Sequence, residues 1–391
     1  MVPSTKVITF ILLLLGYLGL SQIPALSPLS KISVLTSGPG HPLYSKFGHS
    51  AVRVQDPSQG IDVVYNYGTF DFRKNGFYLK FAQGKLNYTL SRGPYRYFIQ
   101  EYREEQRWVV EQVLQLNADE KNHLFKLLEN NYLPQNREYL YDPVFNNCAT
   151  KIWELLEKGL DHSLRFDPTY IDQKKTIRQL VNDHLPTNDW GSFGINLAWG
   201  AVVDREATPK EHLFLPNYLM DQVGVATYRE HPITEKKNIL VADAFHPQKT
   251  NFLLSPLCWF ILLMLWVLWI TYRDVKTGRT TQWLDRLLFI LTGVSGTILF
   301  LLWFAADHSA TKHNYNLLWA FPLNLGALFF MFRNGRLFHP LKKYLLALLL
   351  CMGVMIILWF LGVQSFSPVI IPLLITLSVR YLFLIWRIGN Q

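Results

Sequence analysis

The chain has 391 residues, of which 50% are hydrophobic and 15% aromatic, and its mean hydropathy is +0.10. This composition is too apolar for a soluble protein of this length, so it predicts membrane-spanning segments. The formal net charge of +9 does not require a nucleic-acid partner. Many of the basic residues lie in short loops between apolar runs, where they orient spans and contact anionic lipid headgroups. With no zinc-ligand spacing or phosphate-binding glycine loop, we expect no metal and no other cofactor.

The N-terminus has the pattern of a targeting segment. An apolar run from Val7 to Leu20 follows Lys6 and precedes small and turn-forming residues in SQIPALSPLS. This order is typical of a secretory signal peptide, with cleavage near Ala25 to Ser27. A retained signal anchor is the alternative, because the run lies at the short end of what spans a bilayer. We therefore assign residues 1–27 to a signal peptide or anchor and expect the following chain to be exported.

Residues 28–250 are mixed and charged, and they predict one exported α+β domain. The runs ISVL, SAVRV and IDVVYNY are typical of short strands separated by the turn sequences SGPG and DPSQG. Helical periodicity predicts helices over residues 102–116 and 118–130, the second beginning after Asn117. A further helix is predicted from Cys148, because CATKIWELLEKGL places apolar residues on one helical face.

Cys148 is a candidate nucleophile. It follows the turn residues of YDPVFNN and has no exported partner for a disulfide, since Cys258 and Cys351 lie in predicted spans. The N–H groups at a helix N-terminus lower the pKa of a thiol and stabilise an oxyanion. A buried structural cysteine is the alternative interpretation.

His49 is the best-placed base for that thiol. It lies in YSKFGHSAVRV, where a turn enters a predicted strand, and His41 after GPG is the weaker rival. The base of such a pair is normally oriented by a third group. Asn66 on the neighbouring predicted strand supplies a carboxamide oxygen that can accept from the imidazole, although a plain turn role before Gly68 is equally compatible with the sequence.

Residues 251–391 predict an all-α membrane domain of about five spans. We place the spans near residues 253–271, 287–305, 317–332, 344–362 and 369–386, the third being short and interrupted by Pro322 and Asn324. The loops around residues 273–286 and 333–343 are basic, whereas DHSATKHNYN contains only Lys312. The positive-inside rule therefore places the two basic loops in the cytoplasm and both DHSATKHNYN and the α+β domain outside.

The order of a histidine strand, a second strand and a cysteine helix resembles the permuted papain-like fold of the lecithin:retinol acyltransferase group, whose cysteine helix also begins with an Asn-Cys pair. A closer resemblance to the Lnb-type family covers nearly the whole chain. The stretches that carry it are SGPGHPLYSKFGHSAVRV, VVYNYGTFDF, NNCATKI, GAVVDREATPKEHLFLPNYLMD and HNYNLLWAFPLN.

The resemblance implies a bacterial inner-membrane enzyme that N-acylates lipoproteins. An acyl chain moves from a phospholipid to the α-amino group of a diacylglyceryl-cysteine, with Cys148 as the nucleophile and His49 as the acid and base. We assign Asn66 as the third catalytic residue. Lys151 stands where the family usually has arginine. We expect the substrates to contact a set of residues in the matching stretches, namely Tyr44, Ser45, Asn147, His313, Asn314 and Asn316.

Two other functions are compatible with the same residues. A membrane-tethered cysteine hydrolase, acting on peptides, amides or phospholipids, needs the same nucleophile and base, but it needs only one span. An envelope scaffold with a buried structural cysteine needs neither a nucleophile nor a base.

Overall fold

The computed structural model describes residues 23–73, 75–161, 163–246, 251–333 and 336–390. Most of the predicted targeting segment, residues 1–22, lies outside this range. The described chain has an α+β part, which holds Cys148, followed by a bundle of long apolar helices.

The α+β part is built on a seven-stranded antiparallel sheet with the strand order β10-β5-β1-β2-β3-β4-β6. A small second sheet has the order β7-β8-β9. The three strands predicted from the sequence form β1, β2 and β3, so those predictions are confirmed. The strands are β1 (Lys31–Ser37), β2 (His49–Asp56), β3 (Ile61–Thr69), β4 (Asn87–Pro94), β5 (Val109–Leu114), β6 (Glu138–Leu140), β7 (Leu164–Arg165), β8 (Thr227–Tyr228), β9 (His231–Pro232) and β10 (Thr234–Val241).

The described residues of this part also form seven helices. The helix predicted over residues 118–130 is confirmed, and its N-terminus carries a capping box between Asn117 and Glu120. The helix predicted from Cys148 is also confirmed. The helices are α1 (Phe77–Ala82), α2 (Tyr95–Glu104), α3 (Ala118–Tyr132), α4 (Cys148–Gly159), α5 (Ile177–Asn182), α6 (Trp190–Ala198) and α7 (Pro216–Val225).

The helix predicted over residues 102–116 is wrong. Helix α2 ends at Glu104, and residues 109–114 form strand β5. VVEQVL pairs on both sides, with β1 and with β10, so its backbone groups are satisfied in the middle of the sheet. Sheet pairing from distant segments outweighs the local helical pattern here.

Helix α4 is fixed by burial of its apolar face. Ile152, Trp153 and Leu156 are at most 2% exposed and belong to one core with Val52 of β2 and Tyr65 of β3. Burying each large apolar side chain contributes about 1.5–3 kcal/mol. This packing holds the start of the cysteine helix against the strand that begins with His49.

The second part contains four helices long and apolar enough to cross a membrane. They fall where the first, second, fourth and fifth spans are predicted. The helices of this part are α8 (Pro256–Thr277), α9 (Gln282–Phe304), α10 (Asn324–Ala327), α11 (Leu341–Phe360) and α12 (Ile371–Gly389), of which α10 is a single turn.

Residues 317–332, predicted as a short span interrupted by Pro322 and Asn324, do not form one long helix. This segment contains a 3-10 turn at Tyr315–Leu318, the short α10 and strand β11 (Phe332–Arg333), which pairs with β12 (Arg336–Leu337). Pro322 lacks an N–H and disfavours a helix before it. The backbone approaches α9 so closely that a Cβ on Gly296 would lie 2.1 Å from the carbonyl oxygen of Ala320. Irregular backbone at membrane depth is tolerated where protein surrounds it in this way.

Helix α6 joins the two parts of the molecule. Phe193 and Leu197 of α6 pack into the core of the long helices, with the Phe193 ring 5.2 Å from that of Phe260. At one end Trp190 donates from Nε1 to the carbonyl oxygen of Leu254 (2.7 Å), just before α8. At the other end Asn314 donates to the carbonyl oxygen of Leu197 (2.8 Å). The α+β part is therefore fastened to one end of the helix bundle.

Candidate active site

Asn147 sets the position of Cys148 at the start of α4. Its Oδ1 accepts from the N–H groups of Ala149 (3.0 Å) and Thr150 (3.1 Å). Its Nδ2 donates to the carbonyl oxygens of Pro143 (2.9 Å) and Phe214 (2.7 Å). The residue is 5% exposed. These four bonds use its donors and acceptors, so the side chain anchors the helix and has no free group for the predicted substrate contact.

Cys148 is the first residue of the helix, and its thiol is free and half-buried. Burial by itself raises the pKa of the thiol. Attraction to the neighbouring His49 and to the nearby N–H groups of Ser50 and Ala149 outweighs burial, so the pKa of Cys148 is lowered. A lowered pKa makes the nucleophilic thiolate available at a lower pH.

His49 begins β2 and is brought together with both Cys148 and Asn66. The imidazole lies next to Cys148, and its Nε2 lies 3.3 Å from Oδ1 of Asn66. Burial and the charge of Arg107 act to lower the pKa of His49, but the neighbouring Cys148 thiolate and the hydrogen bond to Asn66 raise it above the usual value. The raised pKa of His49 and the lowered pKa of Cys148 favour an imidazolium–thiolate pair. His41, the weaker rival, is exposed against Phe245.

Gly68 leaves an open space beside the thiol. The pairing of β3 with β4 is irregular between Asn66 and Thr69, and Gly68 has φ +84° within that irregularity. A Cβ on Gly68 would lie 3.6 Å from Cβ of Cys148, 4.0 Å from its backbone nitrogen and 3.9 Å from the hydroxyl oxygen of Tyr139. Bulges next to active sites commonly redirect strands in this way. The three groups therefore border a space that only glycine leaves free.

Tyr139 is the functional candidate that sequence reasoning missed. It lies on β6, and its buried hydroxyl has no hydrogen-bond partner among the described residues. The backbone N–H of Gly68 lies near this oxygen without meeting hydrogen-bond geometry. Burial and the charge of Cys148 raise the pKa of Tyr139, so the phenol stays protonated and can donate. The only signal in the sequence is the tyrosine-rich EYLYD shortly before the cysteine.

Tyr44 and Ser45 lie in a 3-10 turn shortly before His49. Tyr44 is 62% exposed, and its ring contacts those of Phe70 (5.6 Å) and Phe72 (6.2 Å). Ser45 is buried and donates from Oγ to the carbonyl oxygen of Pro42 (2.9 Å). Tyr44 therefore offers an accessible surface, whereas Ser45 shapes the turn.

The loop after α9 reaches the turn before the cysteine through Ser309, whose Oγ donates to Oδ2 of Asp142 (2.8 Å). His313 in this loop is exposed, with φ +54°. Asn314 and Asn316 are instead buried, and each donates to backbone carbonyls at the end of α6. Both asparagines thus join the two parts of the molecule. Their buried side chains expose no group that could make the predicted substrate contacts.

The fold and this site define a membrane protein whose α+β domain carries a cysteine–histidine pair at a helix N-terminus. Residues 25–183 match the model of the Lnb N-terminal periplasmic domain, and residues 247–391 match that of the Lnb transmembrane domain. The chain belongs to the Lnb family, as its resemblance predicted, and is a lipoprotein N-acyltransferase-like membrane protein with a periplasmic N-terminal domain. No curated protein and no solved structure matches it significantly.

Proposed function

We propose that this protein is an inner-membrane enzyme that transfers an acyl chain from a phospholipid to the α-amino group of a diacylglyceryl-cysteine lipoprotein. The transfer passes through a thioester on Cys148. The observation that carries this proposal is that Cys148 and His49 lie side by side, with Asn66 bonded to the imidazole, in a domain attached to the end of a membrane helix bundle. Membership of the Lnb family supports a phospholipid donor and a lipoprotein acceptor.

The first half-reaction forms the thioester. The Cys148 thiolate attacks the ester carbonyl carbon of the phospholipid, and the new C–S bond gives a tetrahedral oxyanion. The C–O bond to glycerol then breaks, and the His49 imidazolium donates its proton to the departing alkoxide. Lysophospholipid leaves, and His49 is neutral. Asn66 accepts from Nε2 of His49 and so holds the ring in the orientation that this proton transfer needs.

We assign the stabilisation of the oxyanion to the space beside Gly68. The carboxamide of Asn147 caps the N–H groups of Ala149 and Thr150, which leaves the N–H of Cys148 to donate into this space. The hydroxyl of Tyr139 faces the same space and has no other partner among the described residues. Two preorganised donors in a partly dry site are the arrangement that acyl transfer requires.

The second half-reaction consumes the thioester. An α-amino group has an unperturbed pKa of about 7.7–8.0, so a useful fraction is neutral near pH 7. The neutral amine attacks the thioester carbonyl, His49 takes its proton, and the C–S bond breaks to regenerate the thiolate. Hydrolysis is the competing reaction, so water must be kept from the thioester. We propose that Tyr44 and His313, the accessible members of the predicted substrate-binding set, contact the substrates.

The decisive experiment incubates purified protein with phospholipid and a synthetic diacylated lipopeptide. We expect mass spectrometry to show one added acyl chain on the lipopeptide amine and, without lipopeptide, an acyl adduct on Cys148. Cys148→Ser should abolish both products. Cys351→Ser is the matched control, because Cys351 is also free and half-buried but lies in α11. Release of free fatty acid without transfer would instead favour a membrane-tethered hydrolase.

A further inference from the structure

Helix α1 presents an apolar face to its surroundings. Tyr78, Leu79 and Phe81 are 74%, 64% and 45% exposed, and Phe72 just before the helix is 49% exposed. We call these four residues the α1 apolar face. Contiguous exposed apolar side chains mark a surface that another molecule or a membrane covers.

The α1 apolar face is held at the end of a spanning helix. Helix α9 ends at Phe304, and Asp307 soon after it donates from its N–H to the carbonyl oxygen of Gln83 (2.8 Å). His308 donates from Nε2 to the carbonyl oxygen of Phe81 (2.5 Å). The approach requires Gly84, because a Cβ there would lie 2.8 Å from the backbone nitrogen of His308. The 23 residues of α9 are about as long as the hydrocarbon core is thick, so we expect α1, held beside the end of α9, to lie at the level of the lipid headgroups.

Aromatic rings connect this face with the site. Phe72 lies 4.7 Å from Phe70 between ring centroids, and Phe70 lies 5.2 Å from Tyr88. Tyr88 stacks on Tyr141 at 3.9 Å between ring centroids. Tyr139, whose hydroxyl borders the space beside Cys148, packs against the same cluster. A row of packed aromatic rings therefore runs from the α1 apolar face toward the nucleophile.

We propose that the α1 apolar face rests in the outer leaflet of the bilayer and guides an acyl chain of the phospholipid donor toward Cys148. The occupant is lipid rather than a protein, because the face adjoins the end of a span and combines aromatic with aliphatic side chains. The exposed Lys80 beside it suits a lipid phosphate, whereas the ammonium of Lys85 lies 3.9 Å from the carboxylate of Asp307. The guiding role rests on the proposed acyltransferase function, whereas the membrane contact does not.

The first test measures membrane contact without using activity. An environment-sensitive NBD fluorophore is attached at Leu79→Cys in full-length protein that also carries Cys148→Ser, Cys258→Ser and Cys351→Ser. The matched control is Ile239→Cys, since Ile239 is 72% exposed but lies on β10, at the other edge of the sheet. In vesicles of phosphatidylethanolamine and phosphatidylglycerol, we expect blue-shifted emission and quenching by doxyl lipids at position 79 only. Equal emission and equal quenching at the two positions would overturn the proposal.

The second test measures the guiding role. Leu79→Glu should lower the rate of acyl-enzyme formation from bilayer phospholipid about tenfold relative to the rate with a water-soluble short-chain ester. Ile239→Glu should leave both rates unchanged. An equal loss with both donors in Leu79→Glu would contradict the guiding role. If wild type formed no acyl-enzyme with either donor while the label at position 79 lay in the bilayer, the proposed function would fail and the membrane contact would stand.

Discussion

The Nε2 atom of His49 lies 3.3 Å from Oδ1 of Asn66, and the same imidazole lies next to Cys148. Because a carboxamide oxygen only accepts, the geometry requires a proton on Nε2. The other ring nitrogen is then left for exchange with the thiol. The two ring nitrogens of His49 therefore have different roles. Nε2 is held by Asn66, and the other nitrogen is free to move one proton in each half-reaction of the proposed mechanism.

The ionisation of Cys148 should depend on His49. The pKa of the thiol is lowered and that of the imidazole is raised, so the thiolate is present at a lower pH than for a free cysteine, whose pKa is about 8.5. The rate of alkylation by iodoacetamide, followed against pH, should therefore have a lower midpoint than that of a free cysteine measured in the same buffer. His49→Ala should move the midpoint upward, since burial then acts on the thiol without the imidazolium. An unchanged midpoint would contradict the ion pair.

Asn66→Ala should lower the rate of acyl transfer. Loss of the hydrogen bond to Nε2 removes about 1 kcal/mol of orientation energy, which corresponds to about fivefold in rate. Asn66→Asp keeps an acceptor in place and should retain more activity while raising the pKa of His49 further. The measurement is the pH profile of acyl-enzyme formation for the three proteins. A merely structural role for Asn66 would lower the rate without moving the profile.

Tyr139→Phe should slow thioester formation by a factor of about 10² while leaving the fold intact. The hydroxyl has no hydrogen-bond partner to lose among the described residues, and the ring contact with Tyr67 (6.2 Å between centroids) remains. Tyr88→Phe, in the same aromatic cluster, is the control and should have little effect. Single-turnover labelling of Cys148 measures the step directly. Equal rates for wild type and Tyr139→Phe would remove Tyr139 from the proposed oxyanion site.

Asp204→Ala should destabilise the junction between the two parts. Arg178 pairs with Asp204 (2.9 Å), both side chains are at most 3% exposed, and the guanidinium also donates to the carbonyl oxygens of Trp199 and Gly200. Removing the carboxylate leaves a buried charge and should cost about 3–5 kcal/mol in the free energy of unfolding.

Denaturant unfolding in detergent measures this cost. Replacing both partners, as Arg178→Met with Asp204→Leu, should be less harmful than Asp204→Ala alone. The exposed pair of Lys174 and Glu206 provides the control, and Lys174→Ala should change the free energy of unfolding by less than about 1 kcal/mol. A milder effect of Asp204→Ala than of Lys174→Ala would show that the buried pair does not hold the junction.

The sequence predicted β1 to β3, α3, the start of α4 and four of the long helices, because turn residues, caps and apolar runs act within a few positions of the chain. It failed at β5, whose local pattern is helical but whose backbone pairs with β1 and β10. Over residues 317–332 the sequence predicted an interruption at Pro322 and Asn324, but not the close approach of Ala320 to Gly296. In both places distant segments decide the backbone conformation.

The membrane class, the family resemblance and a cysteine at a helix N-terminus could be predicted from the sequence, since composition and capping are local properties. The polar groups that surround that cysteine could not, because they come from segments far apart in the chain. The tertiary structure placed His49 and Asn66 together, left the hydroxyl of Tyr139 without a partner among the described residues, and committed Asn147 and Asn314 to internal bonds. The burial of a side chain and the number of hydrogen bonds it makes depend on its neighbours in space. Local sequence patterns do not predict those neighbours when they lie far apart in the chain.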